Sequence, residues 1–122
     1  MIDKRPNALK DKSYSFAIKI VKLSQYLVSE QKEYVLSKQV LRSGTAVGAL
    51  IREGEFAESK ADFVHKFRIS LKEANETEFW LMLLKDTDYI DKERFVELHS
   101  QCKELIAMLV SSIKTVQERM KN

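Results

Sequence analysis

The chain has 122 residues, 44% of them hydrophobic and 32% charged, with a net charge of +3. That length fits one domain with a real core, and one proline with three glycines leaves little material for turns, so long helices with short connections are expected. No apolar run approaches the roughly 18–20 residues of a membrane span, the stretch Met1-Ile-Asp-Lys-Arg-Pro6 lacks the apolar core of a signal peptide, and the lone Cys102 excludes an internal disulfide and a metal-ligand spacing; a cytoplasmic protein without membrane contact is the expectation.

The charge is unevenly spread. Residues 1–42 carry nine Lys/Arg against four Asp/Glu, whereas residues 43–88 carry six against nine. A basic N-terminal third is either a nucleic-acid footprint or a solvated face opposite an acidic neighbour.

Residues 1–10 read as a loosely ordered arm and residues 11–122 as a single domain of four amphipathic segments, with no sustained strand alternation. The first segment runs from about Lys12 to Glu30, with Phe16, Ile20, Leu23, Ser24 and Leu27 on one stripe, widened by Ala17, Val21 and Val28. Its other side mixes Lys19 and Lys22 with Tyr14, Ile18 and Tyr26. The second runs from about Tyr34 to Glu55 and holds all three glycines, each costing roughly 1 kcal/mol against alanine inside a helix. Gly44 and Gly48 share a face with Val40, Val47 and Ile51, while Ala46, Ala49 and Leu50 lie on the other side, so this helix is packed from two directions, as in a central helix of an assembly. Ser59 and Asp62 form a capping signal ahead of Phe63 for the third segment, which continues to about Lys85. Asp86, Asp88 and Asp91 read as a turn and a helix cap, since the other positions of a calcium loop are missing. Asp91 opens the last segment, marked by Phe95, Leu98, Cys102, Leu105, Leu109, Ile113 and Val116. Short connections make sequential helices antiparallel, giving an all-α, up-down-up-down four-helix bundle.

Few residues suggest chemistry. Di-metal bundles need paired E-x-x-H motifs, and the nearest match is one Asp62-Phe-Val-His65, so no metal and no cofactor is expected. Cys102 on an apolar stripe is a core residue, and no nucleophile or phosphate-loop motif occurs; the chain is not expected to be an enzyme. Glu78 falls within the stripe Phe67, Leu71, Ala74 and Leu81 and needs a partner, for which Arg42 and Arg52 are the candidates. Glu53 shares a strip with Arg42. Trp80, with Phe79 and Leu83, gives the third helix a second apolar side suited to an interface.

The segments Leu36-Ser-Lys-Gln-Val-Leu-Arg-Ser-Gly-Thr-Ala-Val-Gly-Ala49, Glu58-Ser-Lys-Ala-Asp-Phe63 and Ile69-Ser-Leu-Lys-Glu-Ala-Asn-Glu-Thr-Glu-Phe-Trp-Leu81 resemble the four-helix-bundle proteins first noticed in intervening sequences of bacterial 23S ribosomal RNA genes. The resemblance covers about Tyr14 to Val116. It implies a homo-oligomeric ring of five subunits and a likeness to the accessory subunit of diversity-generating retroelements, a basic pentameric barrel that binds nucleic acid and a reverse transcriptase. No catalytic residue carries over. Arg42, Glu53, Glu78 and Trp80 match family positions. Leu50 and Ala46 depart from it, standing where relatives commonly have Asn and Ser, which puts polar contacts there in doubt.

Two functions follow. In the first, the protein is a non-catalytic homo-oligomer binding RNA or DNA through Lys10, Lys12, Lys19 and Lys22, aided by Lys4 and Arg5, with Tyr26 or Tyr14 stacking on bases. Arg42, Gly44, Gly48, Glu53, Glu78 and Trp80 then hold the bundle and its subunit contacts. In the second, it is a scaffold for a protein partner with no nucleic-acid affinity.

Overall fold

The computed structural model describes residues 4–121, with side chains from residue 8 onward. Its elements are α1 (Lys4–Ser29), α2 (Leu36–Glu55), α3 (Lys60–Asp86) and α4 (Lys92–Met120), and no strand occurs among the described residues. Each helix packs against its neighbours in sequence and α1 closes on α4, while the diagonal pairs stay apart. The result is a four-helix bundle around one apolar core.

The ends of the helices follow local chemistry. At α3, Ser59 accepts a hydrogen bond from the Asp62 backbone N–H at 3.0 Å, and Asp62 in return accepts from the Glu58 N–H at 3.2 Å. At α4, Asp91 accepts from the Arg94 N–H at 2.8 Å. The start of α2 is less conventional. Val35 at the cap position has no side chain to offer, and Glu33 accepts from the N–H groups of Val35 (3.3 Å) and Ser37 (2.8 Å) instead. A carboxylate there also meets the positive end of the helix dipole. Lys32 (φ 53°) and Asp88 (φ 68°) take left-handed conformations that reverse the chain.

Of the stretch expected as a loose arm, residues 1–10, the described part from Lys4 is helical, and Leu9 is wholly buried. A basic, mixed sequence hid that helix, because Leu9 is the one large apolar side chain among residues 4–10. Residues 1–3 lie outside the described residues, and Lys4 and Arg5 lie outside the described side chains.

Inside the bundle α2 packs through its glycine side, while the Ala46, Ala49 and Leu50 side, expected to be covered as well, is half-buried or exposed in the single chain. Gly44 faces α1: a Cβ added there would stand 2.8 Å from Ile20 Cγ2, and one at Gly48 would stand 3.3 Å from the Ser13 carbonyl oxygen. Gly54 faces α3, with the Phe67 ring 2.6 Å from an added Cβ. The α2–α3 seam is closed by small hydroxyls. Ser70 donates to the Val47 carbonyl at 2.9 Å, and Thr77 donates to the Glu73 carbonyl at 2.8 Å. Thr77 also lies 2.9 Å from Ser43 Oγ, whose proton supplies that second bond. Thus no buried hydroxyl in the seam lacks a partner, which would cost about 1–3 kcal/mol.

Candidate interaction surfaces

The basic residues chosen from the sequence do not form one surface. Lys10 turns toward α2 and pairs with Glu55 at 3.6 Å. Lys12 and Lys19, two turns apart, reach the opposite way to α4, pairing with Glu104 at 3.3 Å and Glu97 at 3.8 Å. Tyr26 is half-buried: its hydroxyl accepts from Gln31 at 2.7 Å, and the Arg94 guanidinium covers its ring at 4.1 Å. That ring face is therefore occupied, with a cation where a base would stack. Lys22 alone of the set is exposed with no ion-pair partner among the described residues. Three of the nine cations of the N-terminal third, Lys10, Lys12 and Lys19, are thus met by carboxylates of α2 and α4.

The α2–α3 side carries a charged network. Arg42 is bonded to Glu73 at 3.2 Å, to Gln39 at 3.2 Å and to Glu76. The same Glu76 oxygen accepts from the Trp80 indole at 2.9 Å, which fixes the half-buried ring. Further along, Glu53 pairs with Lys66 at 2.9 Å, and this hydrogen bond together with the carboxylate charge raises the Lys66 pKa. Arg42, Glu53 and Trp80 therefore act within one chain, through partners the sequence did not identify.

Glu78 has a different partner from those expected. Arg42 is engaged elsewhere and Arg52 is exposed; Glu78 instead meets His99 Nε2 at 2.8 Å and Lys103 at 3.7 Å, both on α4. His99 stacks on Phe95 with centroids 4.8 Å apart, and Lys85 stands 4.6 Å from that ring. The register of α3 against α4, invisible in one helix's periodicity, brings these groups together. Cys102 lies beneath them, fully buried, with its thiol donating to the Ala74 carbonyl at 3.2 Å. Burial first, and the Glu78 charge second, push its pKa up to about 12, so it stays a thiol at neutral pH. Among the described residues no three His, Cys, Asp or Glu side chains are gathered as metal ligands, and no helix is long and apolar enough to cross a membrane.

Two surface features remain. On α1, Tyr14, Ile18, Val21 and Val28 form an exposed apolar stripe, 68%, 42%, 38% and 39% accessible. It borders a hollow of about 510 Å³ between α1 and α2, floored by Ala17, Gly48 and Ala49. On the far side, Arg68 and Lys72 of α3 and Lys114 of α4 line a hollow of about 390 Å³ over Leu71, Val110 and Ile113. The sequence reading missed this second group. Its trace was the spacing His65, Arg68, Lys72 with no acidic residue three or four positions from Arg68.

Geometry of this kind defines a four-helix bundle that carries charged and apolar surface features. A family model described as 23S rRNA-intervening sequence protein matches residues 6–111, and the chain belongs to that family. It is also similar to a solved protein of unknown function from the S23 ribosomal protein family of Bacteroides thetaiotaomicron VPI-5482. The two are 54% identical over 90% of this chain and 98% of that one, with a TM-score of 0.89. No curated protein matches the chain.

Proposed function

We propose that this protein is a non-catalytic, self-associating bundle that binds nucleic acid, as a ring of five antiparallel up-down-up-down subunits. The observation that carries self-association is the exposed stripe Tyr14, Ile18, Val21 and Val28 beside the α1–α2 hollow. An apolar face of this kind on a helix that already buries Phe16, Ile20 and Leu27 marks a contact site. The antiparallel order is supported by contacts that run in opposite directions along the chain: Ile20 meets Gly44 while Ser13 meets Gly48, and Lys12 meets Glu104 while Lys19 meets Glu97. A closed ring needs two different flanks on each subunit, and the α3 residues Phe79 and Met82, also exposed, offer the second. The ring of five, the RNA target and the likeness to the retroelement accessory subunit rest on the family resemblance. Support for a non-catalytic role comes from the two groups best suited to chemistry, since Cys102 is buried as a thiol and His99 is engaged by Glu78.

The scaffold reading, with no nucleic-acid affinity, is favoured by one specific observation: Lys10, Lys12 and Lys19 are each within reach of a carboxylate. Mass in solution, recorded together with RNA binding across a salt series, separates the two. The proposed function requires an assembly of five that binds RNA more weakly as salt rises; an assembly silent toward RNA at low salt leaves the scaffold. Ile18→Glu is expected to lower the mass, and an unchanged mass would remove the α1 stripe from the interface.

A further inference from the structure

The geometry points to the hollow between α3 and α4, walled by Arg68, Lys72 and Lys114, as a phosphate-backbone site for single-stranded RNA. This inference rests on the nucleic-acid reading and places its contacts on a different surface from α1. Cations stand on both walls, Arg68 and Lys72 on α3 and Lys114 on α4, and no carboxylate lines the hollow. None of the three has an ion-pair partner among the described residues. The glutamates of the same helix are engaged elsewhere: Glu73 and Glu76 are held by Arg42, and Glu78 by His99 and Lys103. Three cations without counter-charge repel one another, and a polyanion relieves that repulsion while releasing its condensed counterions.

The shape narrows the choice of polyanion. Arg68 and Lys72 are one turn apart, a rise of about 6 Å, near the step between successive phosphates of a strand. Between the walls, Leu71, Val110 and Ile113 give an apolar floor that suits ribose and base faces better than the fully hydrated side chains of an acidic peptide. A second hollow continues the cationic strip past Lys114 to Lys121, with Glu118 as its one acidic residue. No aromatic ring lines the first hollow, so stacking contributes little and sequence preference is weak.

The test uses the full chain, a short labelled single-stranded RNA of mixed sequence, poly-glutamate as competitor, and two variants checked for unchanged helicity and mass in solution. One variant carries Arg68→Gln, Lys72→Gln and Lys114→Gln; the other carries Lys19→Gln and Lys22→Gln on α1. The expected result is a loss of about tenfold or more in RNA affinity for the first, with a salt dependence shallower by about two to three phosphate contacts. The α1 variant should stay within about twofold of the parent protein, because Lys19 is already paired and lost phosphate contacts set the size of the effect. Binding that survives in the first variant, or is lost in the second alone, overturns the site but keeps the nucleic-acid reading. No RNA binding by the parent protein even at low salt overturns both. Poly-glutamate that binds through the same three residues while RNA does not reassigns the hollow to an acidic protein.

Discussion

The two halves of the bundle handle charge in opposite ways. Where α1 meets α2, glycines let the backbones draw together, and Lys10, Lys12 and Lys19 of α1 are paired with Glu55, Glu104 and Glu97. Where α3 meets α4, a half-buried His99–Glu78 contact and the buried Cys102 thiol fill the seam, and Arg68, Lys72 and Lys114 have no ion-pair partner among the described residues. The richer basic composition of the N-terminal third is therefore a poor guide to the surface. A lysine's availability depends on what the neighbouring helix places opposite it.

That contrast can be broken experimentally, starting with the glycine seam. Gly44→Ala forces a methyl group against Ile20, a fully buried side chain, and is expected to cost about 1–3 kcal/mol in denaturant unfolding even after the helix-propensity gain. Gly48→Ala meets the Ser13 carbonyl oxygen at 3.3 Å and its hydroxyl at 3.4 Å, both looser contacts, and should cost less. If the two variants are equally stable, close approach at Gly44 is not what positions α1.

On the α3–α4 side the corresponding probe is Cys102. Its pKa of about 12 against an ordinary 9.0 means the unfolded chain loses the thiol proton first, so the folded state binds more protons between those values. Stability is then unaffected below about pH 9 and falls as pH rises from 9 toward 12. Cys102→Ala should flatten that alkaline decline, and thiol-labelling of the native protein at neutral pH should proceed only through unfolding. Rapid native labelling would show the seam to be open.

A smaller effect is expected at His99. Replacing it with Ala removes the bond to Glu78 and the stacking on Phe95, and about 1 kcal/mol should be lost. The smallest belongs to the α1 ion pairs. Lys12→Gln with Lys19→Gln should change stability by less than about 1 kcal/mol, because exposed pairs contribute little. A loss well above that would mean the α1–α4 pairs hold the bundle closed.

Much of the fold was legible. Apolar spacing at three and four residues located four helices, and Ser59 and Asp91 marked two starts at the residues that accept the capping bonds. Cys102 was correctly placed in the core because its neighbours in the stripe are Leu98, Leu105 and Leu109. The misses share a cause. The start of α1 escaped because residues 4–10 hold one large apolar side chain, Leu9, too few for a stripe to detect. The partner of Glu78 escaped because helical periodicity gives the face of a residue and not its height against the next helix. Arg42 and Arg52 were reasonable on charge, but His99 is the group at the right level. The candidate RNA site was hidden likewise: Arg68 and Lys72 are visible together on α3, whereas Lys114 joins them only across the α3–α4 seam.

By itself the sequence determined the helical class, the placement of most turns, the identity of most core residues and membership of a family, since these depend on local propensity, periodicity and quoted motifs. Tertiary structure alone decided which charges cancel and which remain. Pairing depends on distances of a few ångströms between residues far apart in the chain, such as the 3.3 Å between Lys12 and Glu104, and Coulomb attraction at that range sets what is left for a partner to meet.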